Sequence, residues 1–174
     1  MSNLSQLERV RFFAGKLLTV ADLEQEQDYL LARYRRHNRF LHGWGIVAGL
    51  TVSTDGNTGI TVKPGFAIDC AGNELVLPES AHVQLVGLSG KQFVTIGYCE
   101  LRVTPQPAPS GGTEFSRVRE AVKVELQGSN PALGHRGKGV GTPGCGQHHP
   151  LYLATLSQQG SRWRLVSSKR TAQR

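Results

Sequence analysis

Apolar positions recur at spacings of three and four from Thr19 to Gly45, and this stretch sets the plan of the chain. Val20, Leu23, Gln27, Leu30, Leu31, Tyr34 and Leu41, with Asn38 in register, fall on one stripe of a 3.6-residue helix. Thr19 is the expected N-cap, with Asp22 three residues on as its capping-box partner. Asp22, Glu24, Glu26 and Asp28 fill the first half and Arg33, Arg35, Arg36 and Arg39 the second, an order that complements the helix dipole. The helix is expected to end around Asn38, His42, Gly43 and Gly45, where glycine takes a left-handed conformation cheaply.

Beyond Gly45 the period changes to two. Ile46, Ala48, Leu50 and Val52 alternate with their neighbours; Ile60 and Val62, Phe66 to Cys70, Leu75 and Leu77, and His82 to Val86 mark further short strands. Thr54 to Gly59 and Ala71 to Asn73 are turn sequences, and Pro64-Gly65 and Pro78 punctuate. Phe93 to Val103 is apolar on both faces through much of its length and is the expected central strand. Thr104 to Gly112, with prolines at alternate positions, should lie at an edge or protrude. Ser116 to Leu126 alternates again, and Leu151 to Leu156 with Arg162 to Val166 forms a closing hairpin across Gln159-Gly160. The fold class is therefore α+β, mainly β: one long N-terminal amphipathic helix packed on an antiparallel β meander, closed as a barrel or a sandwich. The expected organisation is an arm and helix over 1–45, a β domain over 46–127, a Gly/Pro-rich loop over 128–150, and a hairpin with a basic tail over 151–174.

Charge refines this picture. The chain of 174 residues carries a net charge of +7, and all of it lies after Glu125, where no acidic residue remains. Arg136, Lys138, Arg162, Arg164, Lys169, Arg170 and Arg174 make that end a candidate contact for acidic partner proteins. Few aromatics (Tyr152 and Trp163) are interleaved there, which argues against a base-stacking, nucleic-acid-specific surface. No apolar run approaches a membrane span of ~18 residues. The first ten residues lack the basic-then-apolar order of a cleaved leader, and the three cysteines (Cys70, Cys99, Cys145) are far apart, so cytoplasmic synthesis without a disulfide framework is expected.

Candidate chemistry is sparse. Cys145, His148 and His149, with His135 upstream, are zinc-ligand types at short spacing, but no C-x-x-C pair supports them and the loop is rich in glycine. No cofactor or metal is expected; a zinc-dependent enzyme using that loop is the minor alternative. Asp69, Glu74 and Glu79 read as turn and strand-end residues rather than an acid–base pair, and His37 and His42 as residues favoured at a helix C-terminus. No nucleophile–base constellation is present, so no catalytic residue is assigned. Glu100, mid-strand among apolar neighbours, needs a partner, and an ion pair with Arg117 or Arg119 is the expected structural answer.

The arm F-x-G-K-L-L-T (Phe13, Gly15 to Thr19) leads into E-Q-x-Y (Glu26, Gln27, Tyr29). R-x-H-N-R-x-L-H-G-x-G follows (Arg35, His37 to Arg39, Leu41 to Gly43, Gly45), then G-L-x-V (Gly49 to Val52). Together with P-G-x-A-I-D-x-x-G (Pro64 to Asp69, Gly72), and the YCE and EFSRVRE segments, these resemble an uncharacterised family whose genes accompany baseplate genes of phage-tail-like and contractile injection systems. The resemblance spans about residues 9–126 and carries no catalytic residue. It implies a non-enzymatic structural piece of a tail-like particle: a virion-type component made in the cytoplasm, working through protein–protein contacts as a homo-oligomer in the baseplate, fibre or cap region, and released with the particle. The alternative from another class is a β-domain binding module for a carbohydrate or surface ligand, which would need exposed aromatics such as Trp44 or Trp163.

Overall fold

A computed structural model describes residues 6–109, 111–131 and 144–168. The helix α1 spans Val20–His37 and starts as its cap sequence requires. The Thr19 hydroxyl oxygen accepts from the Asp22 backbone N–H at 3.2 Å, and the Asp22 carboxylate accepts from the Thr19 N–H at 3.0 Å. Lys16 adds an ion pair to Asp22 at 2.7 Å. At the other end the helix loosens into one π-helical turn, Asn38–His42, closed by a Gly43 N–H to Asn38 carbonyl bond of 2.9 Å. Gly43 then adopts φ 75°, and the chain leaves the helix axis sharply.

The strands follow as β1 (Gly45–Gly49), β2 (Val52–Thr54), β3 (Gly59–Val62), β4 (Gly65–Ile68), β5 (Glu74–Leu77), β6 (Ala81–Gln84), β7 (Lys91–Pro107), β8 (Thr113–Gln127), β9 (Leu151–Gln159) and β10 (Arg162–Ser168). They form three antiparallel sheets in the orders β1-β4-β5, β2-β3-β6 and β10-β9-β7-β8. The α+β, mainly β class is what the pattern of the chain implied. The sheets wrap one core without closing as a barrel. Val62, Leu75, Val94, Ile96, Leu153 and Leu156 are fully buried in it. The alternating run from Ile46 to Val52 is broken into two strands because Leu50 sits at φ 55°, which sends β1 and β2 into different sheets. Gly49 and Gly65 pass so closely there that a Cβ on Gly49 would stand 2.1 Å from the Pro64 carbonyl oxygen.

The helix does not lie along the β domain, contrary to expectation. None of its 18 residues is buried. Among the described residues it meets the β domain at its C-terminal end, where the turn between β4 and β5 presses on its last residues: a Cβ on Gly72 would stand 2.2 Å from the Arg35 carbonyl oxygen, so only glycine admits this approach. The buried Asn38 amide donates to the Gly72 carbonyl at 3.0 Å. An amphipathic stripe signals that a helix has something to cover, but not what covers it.

The hairpin of β7 and β8 extends in the same way. The inner half of β7, Gln92 to Ile96, is buried, because β9 pairs with it only from Lys91 to Ile96. From Glu100 outward β7 has β8 as its one neighbour, and no position of the hairpin from Glu100 to Glu120 among the described residues is buried. Pro105 and Pro107 lie in this outer half, opposite Phe115 and Thr113, as strand prolines should where a second neighbour is lacking.

Candidate interaction surface

Two solvent-facing apolar surfaces stand out from the core. On α1 the stripe predicted from the sequence is present but uncovered: Val20 is 72 % exposed, Leu23 53 % and Tyr34 68 %, with Leu30, Leu31 and Leu41 also exposed. The arm ahead of it adds Phe12, Phe13, Leu17 and Leu18, all exposed, although Val10 is buried. On the outer hairpin Leu101 and Phe115 on one face, and Val118 on the other, are also exposed. Monomeric soluble proteins rarely leave contiguous apolar surface of this kind uncovered, and where it occurs it marks a contact site.

The base of both projections is tied by a polar network. The Tyr98 hydroxyl, on β7, donates towards Glu100 at 2.8 Å and lies 3.1 Å from Glu120 on β8. The Arg35 guanidinium lies 3.7 Å from the Glu100 carboxylate and over the Tyr98 ring. On its other side Tyr98 stacks with His148 at 6.3 Å between ring centroids. The His148 Nδ1 meets the Asn73 amide at 3.0 Å, and that amide in turn donates to Asp69 at 2.7 Å. Asp69, 1 % exposed, also accepts the Ala71 and Asn73 backbone N–H groups, the Asx turn its position predicts. Burial, and then the two carboxylates that accept its hydroxyl, push the Tyr98 pKa up, so it remains a donor across the physiological range.

The expected pairing of Glu100 with Arg117 or Arg119 does not form. The register sets Glu100 opposite Glu120, with Arg119 opposite Leu101 and Arg117 opposite Val103. Both arginines therefore fall on the face of the hairpin away from Glu100, whose ion partner is Arg35 on the helix. Glu100 is half exposed, so the burial that motivated a strong partner is also absent. Arg35 was legible only as a basic residue in the last helical turn; its contact with β7 is set by the docking of the helix end.

The zinc-ligand candidates are drawn apart. The Cys145 sulfur accepts the Gln147 N–H at 3.4 Å, and the segment around it lies against Cys70: a Cβ on Gly144 would stand 2.3 Å from the Cys70 carbonyl oxygen, and the Gly146 N–H donates to that oxygen at 3.0 Å. His148 turns instead to Asn73 and Tyr98. His149 is half-buried, and His135 lies outside the described residues. Among the described residues no three His, Cys, Asp or Glu side chains are gathered closely enough to hold a metal ion. Desolvation, with the neighbouring Cys145, pushes the Cys70 thiol up to about 12, which makes it a poor nucleophile. His37 and His42 approach each other, Nε2 to Nε2, at 3.3 Å at the helix end. Glu74 lies on β5, its carboxylate 3.5 Å from the Asn38 amide, and Glu79 lies just after that strand. Trp44 and Trp163 are both buried in the core, so neither offers a stacking platform for a sugar.

Arg39, read from the sequence only as a dipole-favoured base, proves to anchor the last part of the Gly/Pro-rich loop, donating to the Gly144 carbonyl at 3.2 Å. Of the basic positions after Glu125, Arg162 and Arg164 are exposed on β10; Arg136, Lys138, Lys169, Arg170 and Arg174 lie outside the described residues.

Against known proteins, the fold has a counterpart. It is similar to a chain of the type VI secretion system TssK–TssF–TssG baseplate subcomplex, with a TM-score of 0.51 and 10 % identity. The likeness covers 92 % of this chain and 60 % of that one, so this chain spans about three fifths of the length of its counterpart. At this identity the likeness is one of fold. No protein-family model matches the sequence, and no curated protein does. No helix among the described residues is long and apolar enough to cross a membrane.

Proposed function

We propose that this chain is a non-enzymatic structural component of a contractile, phage-tail-like injection particle, in its baseplate, fibre or cap region, assembled from cytoplasmic subunits through protein–protein contacts. The observation that carries this reading is the uncovered apolar stripe of α1, a helix with no buried residue. A free-standing subunit gains nothing from such a stripe, whereas an assembly subunit buries it at about 25 cal/mol per Å² of apolar surface when a neighbour arrives. The fold likeness to a chain of a baseplate subcomplex points the same way. The polar network at the base of the projections supports a rigid mount: it contains a protonated tyrosine and paired side chains but no activated nucleophile.

The test is co-purification. Particles isolated from a strain expressing the tagged protein should contain it together with sheath and tube proteins, and the double variant Leu23→Glu/Tyr34→Glu should remain folded yet be lost from them. A protein absent from purified particles overturns the reading.

A further inference from the structure

We infer that α1 is covered by α1 of a second copy, packed antiparallel along the exposed stripe. This deepens the assembly reading and names the first neighbour. Two observations carry it. The stripe is long and continuous: Val20, Leu23, Gln27, Leu30, Tyr34 and His37 recur at the alternating three- and four-residue spacing of a paired helical seam. Charge is segregated along the axis, with Asp22, Glu24, Glu26 and Asp28 in the first half and Arg33, Arg35, Arg36 and Arg39 in or just after the second. A parallel partner would set acid beside acid; an antiparallel one sets acid beside base at both ends.

One register satisfies both of these. With Gln27 of one helix against Leu30 of the other, Leu23 meets Tyr34 and Val20 meets His37. Glu26 of each copy then flanks the seam beside Arg33 of the other. The pairing is isologous, each contact occurring twice about a two-fold axis, as closed homodimers require. The β domains clear one another because each sits at the C-terminal end of its own helix, and 18 residues at 1.5 Å rise separate the two ends by roughly 27 Å.

The charge register gives a test that ordinary hydrophobic association would not pass. The full-length protein should sediment as a dimer. Glu26→Arg alone places two arginines together at both flanks, and Arg33→Glu alone places two glutamates together. Each should dissociate about tenfold more readily than the parent, in keeping with like-charge juxtaposition across a seam. Mixing the two variants should form a heterodimer within about threefold of the parental affinity, because every flank is again an acid beside a base. Circular dichroism on each variant checks that the helix persists. A parent that stays monomeric at 100 μM, roughly the range where a weak seam would still associate, overturns the inference, as does a mixture that forms no heterodimer. A monomer that nonetheless enters particles overturns self-pairing and leaves the assembly reading standing, with another protein on the stripe. A dimer that never enters particles does the reverse.

Discussion

The β core and the helix use the same kinds of side chain to opposite ends. Ile96 and Leu75 are fully buried where three sheets converge. Leu23 and Leu30 sit at equally regular apolar spacing on α1 and face water. The difference lies in enclosure. A strand is flanked by neighbours that bring further apolar faces, whereas among the described residues α1 meets the β domain only at its C-terminal end. Stability of the chain therefore resides in the sheets, and the apolar stripe of the helix adds little to it.

The largest expected effect tests that division directly. Ile96→Ala should cost about 2–5 kcal/mol of unfolding free energy, the range for a large-to-small change in an unyielding core, while Leu23→Ala should stay within about 0.5 kcal/mol for the dissociated subunit. Denaturant titration of both, at concentrations low enough to keep the protein monomeric, decides it. Equal losses would mean that the helix is part of the core after all.

A smaller effect sits at the joint between the two regions. Gly72 has φ 92° and its Cα faces the Arg35 carbonyl oxygen. Gly72→Ala combines left-handed strain with a backbone clash and should destabilise by roughly 1–3 kcal/mol. Because the clash falls where the helix is mounted, the change should also raise amide exchange in Asn38 to Gly43 more than in β7. Uniform exchange across both would show that the joint is not a separate unit.

The mildest probe is pH, and it acts on one carboxylate in each region. The hydrogen bond from Lys16, then those from Thr19, hold Asp22 down at about 2 against an ordinary 3.8. Backbone N–H bonds from Asn57 and Gly59, with the Thr58 hydroxyl, hold Asp55 equally low in the turn between β2 and β3. A depressed carboxylate stabilises the fold above the unfolded pKa and ceases to do so as pH falls through the folded one. Both contributions should therefore be complete above pH 4 and disappear between about pH 4 and 2. Asp22→Asn should flatten the acid loss of helical circular dichroism and leave the Asp55 turn unchanged; a profile unaffected by the substitution would show that the cap does not hold the helix start.

Residue by residue, local chemistry was readable and partnership was not. Thr19 and Asp22 announced the cap because a capping box closes within four residues. Asp69 announced its turn because its acceptors reach only the next few N–H groups. Glu100 misled because its partner depends on which strand register the hairpin adopts and on where a helix 65 residues earlier comes to rest. Cys145 and His148 looked like joint ligands because they are near in sequence; in the fold the Cys145 sulfur accepts the Gln147 N–H and His148 turns to Asn73 and Tyr98.

What the chain determined by itself was every element whose signal closes over a few residues: the capped helix, the strand alternation, the turns at Asp55 and Asp69, the outward reach of the proline-bearing hairpin. Tertiary structure alone decided coverage. An apolar period states that a face repels water, and only packing settles whether a sheet of the same molecule removes it from solvent. For the β strands one does; for α1 the π-helical turn and the φ of Gly43 carry the chain away from the stripe, leaving that face exposed.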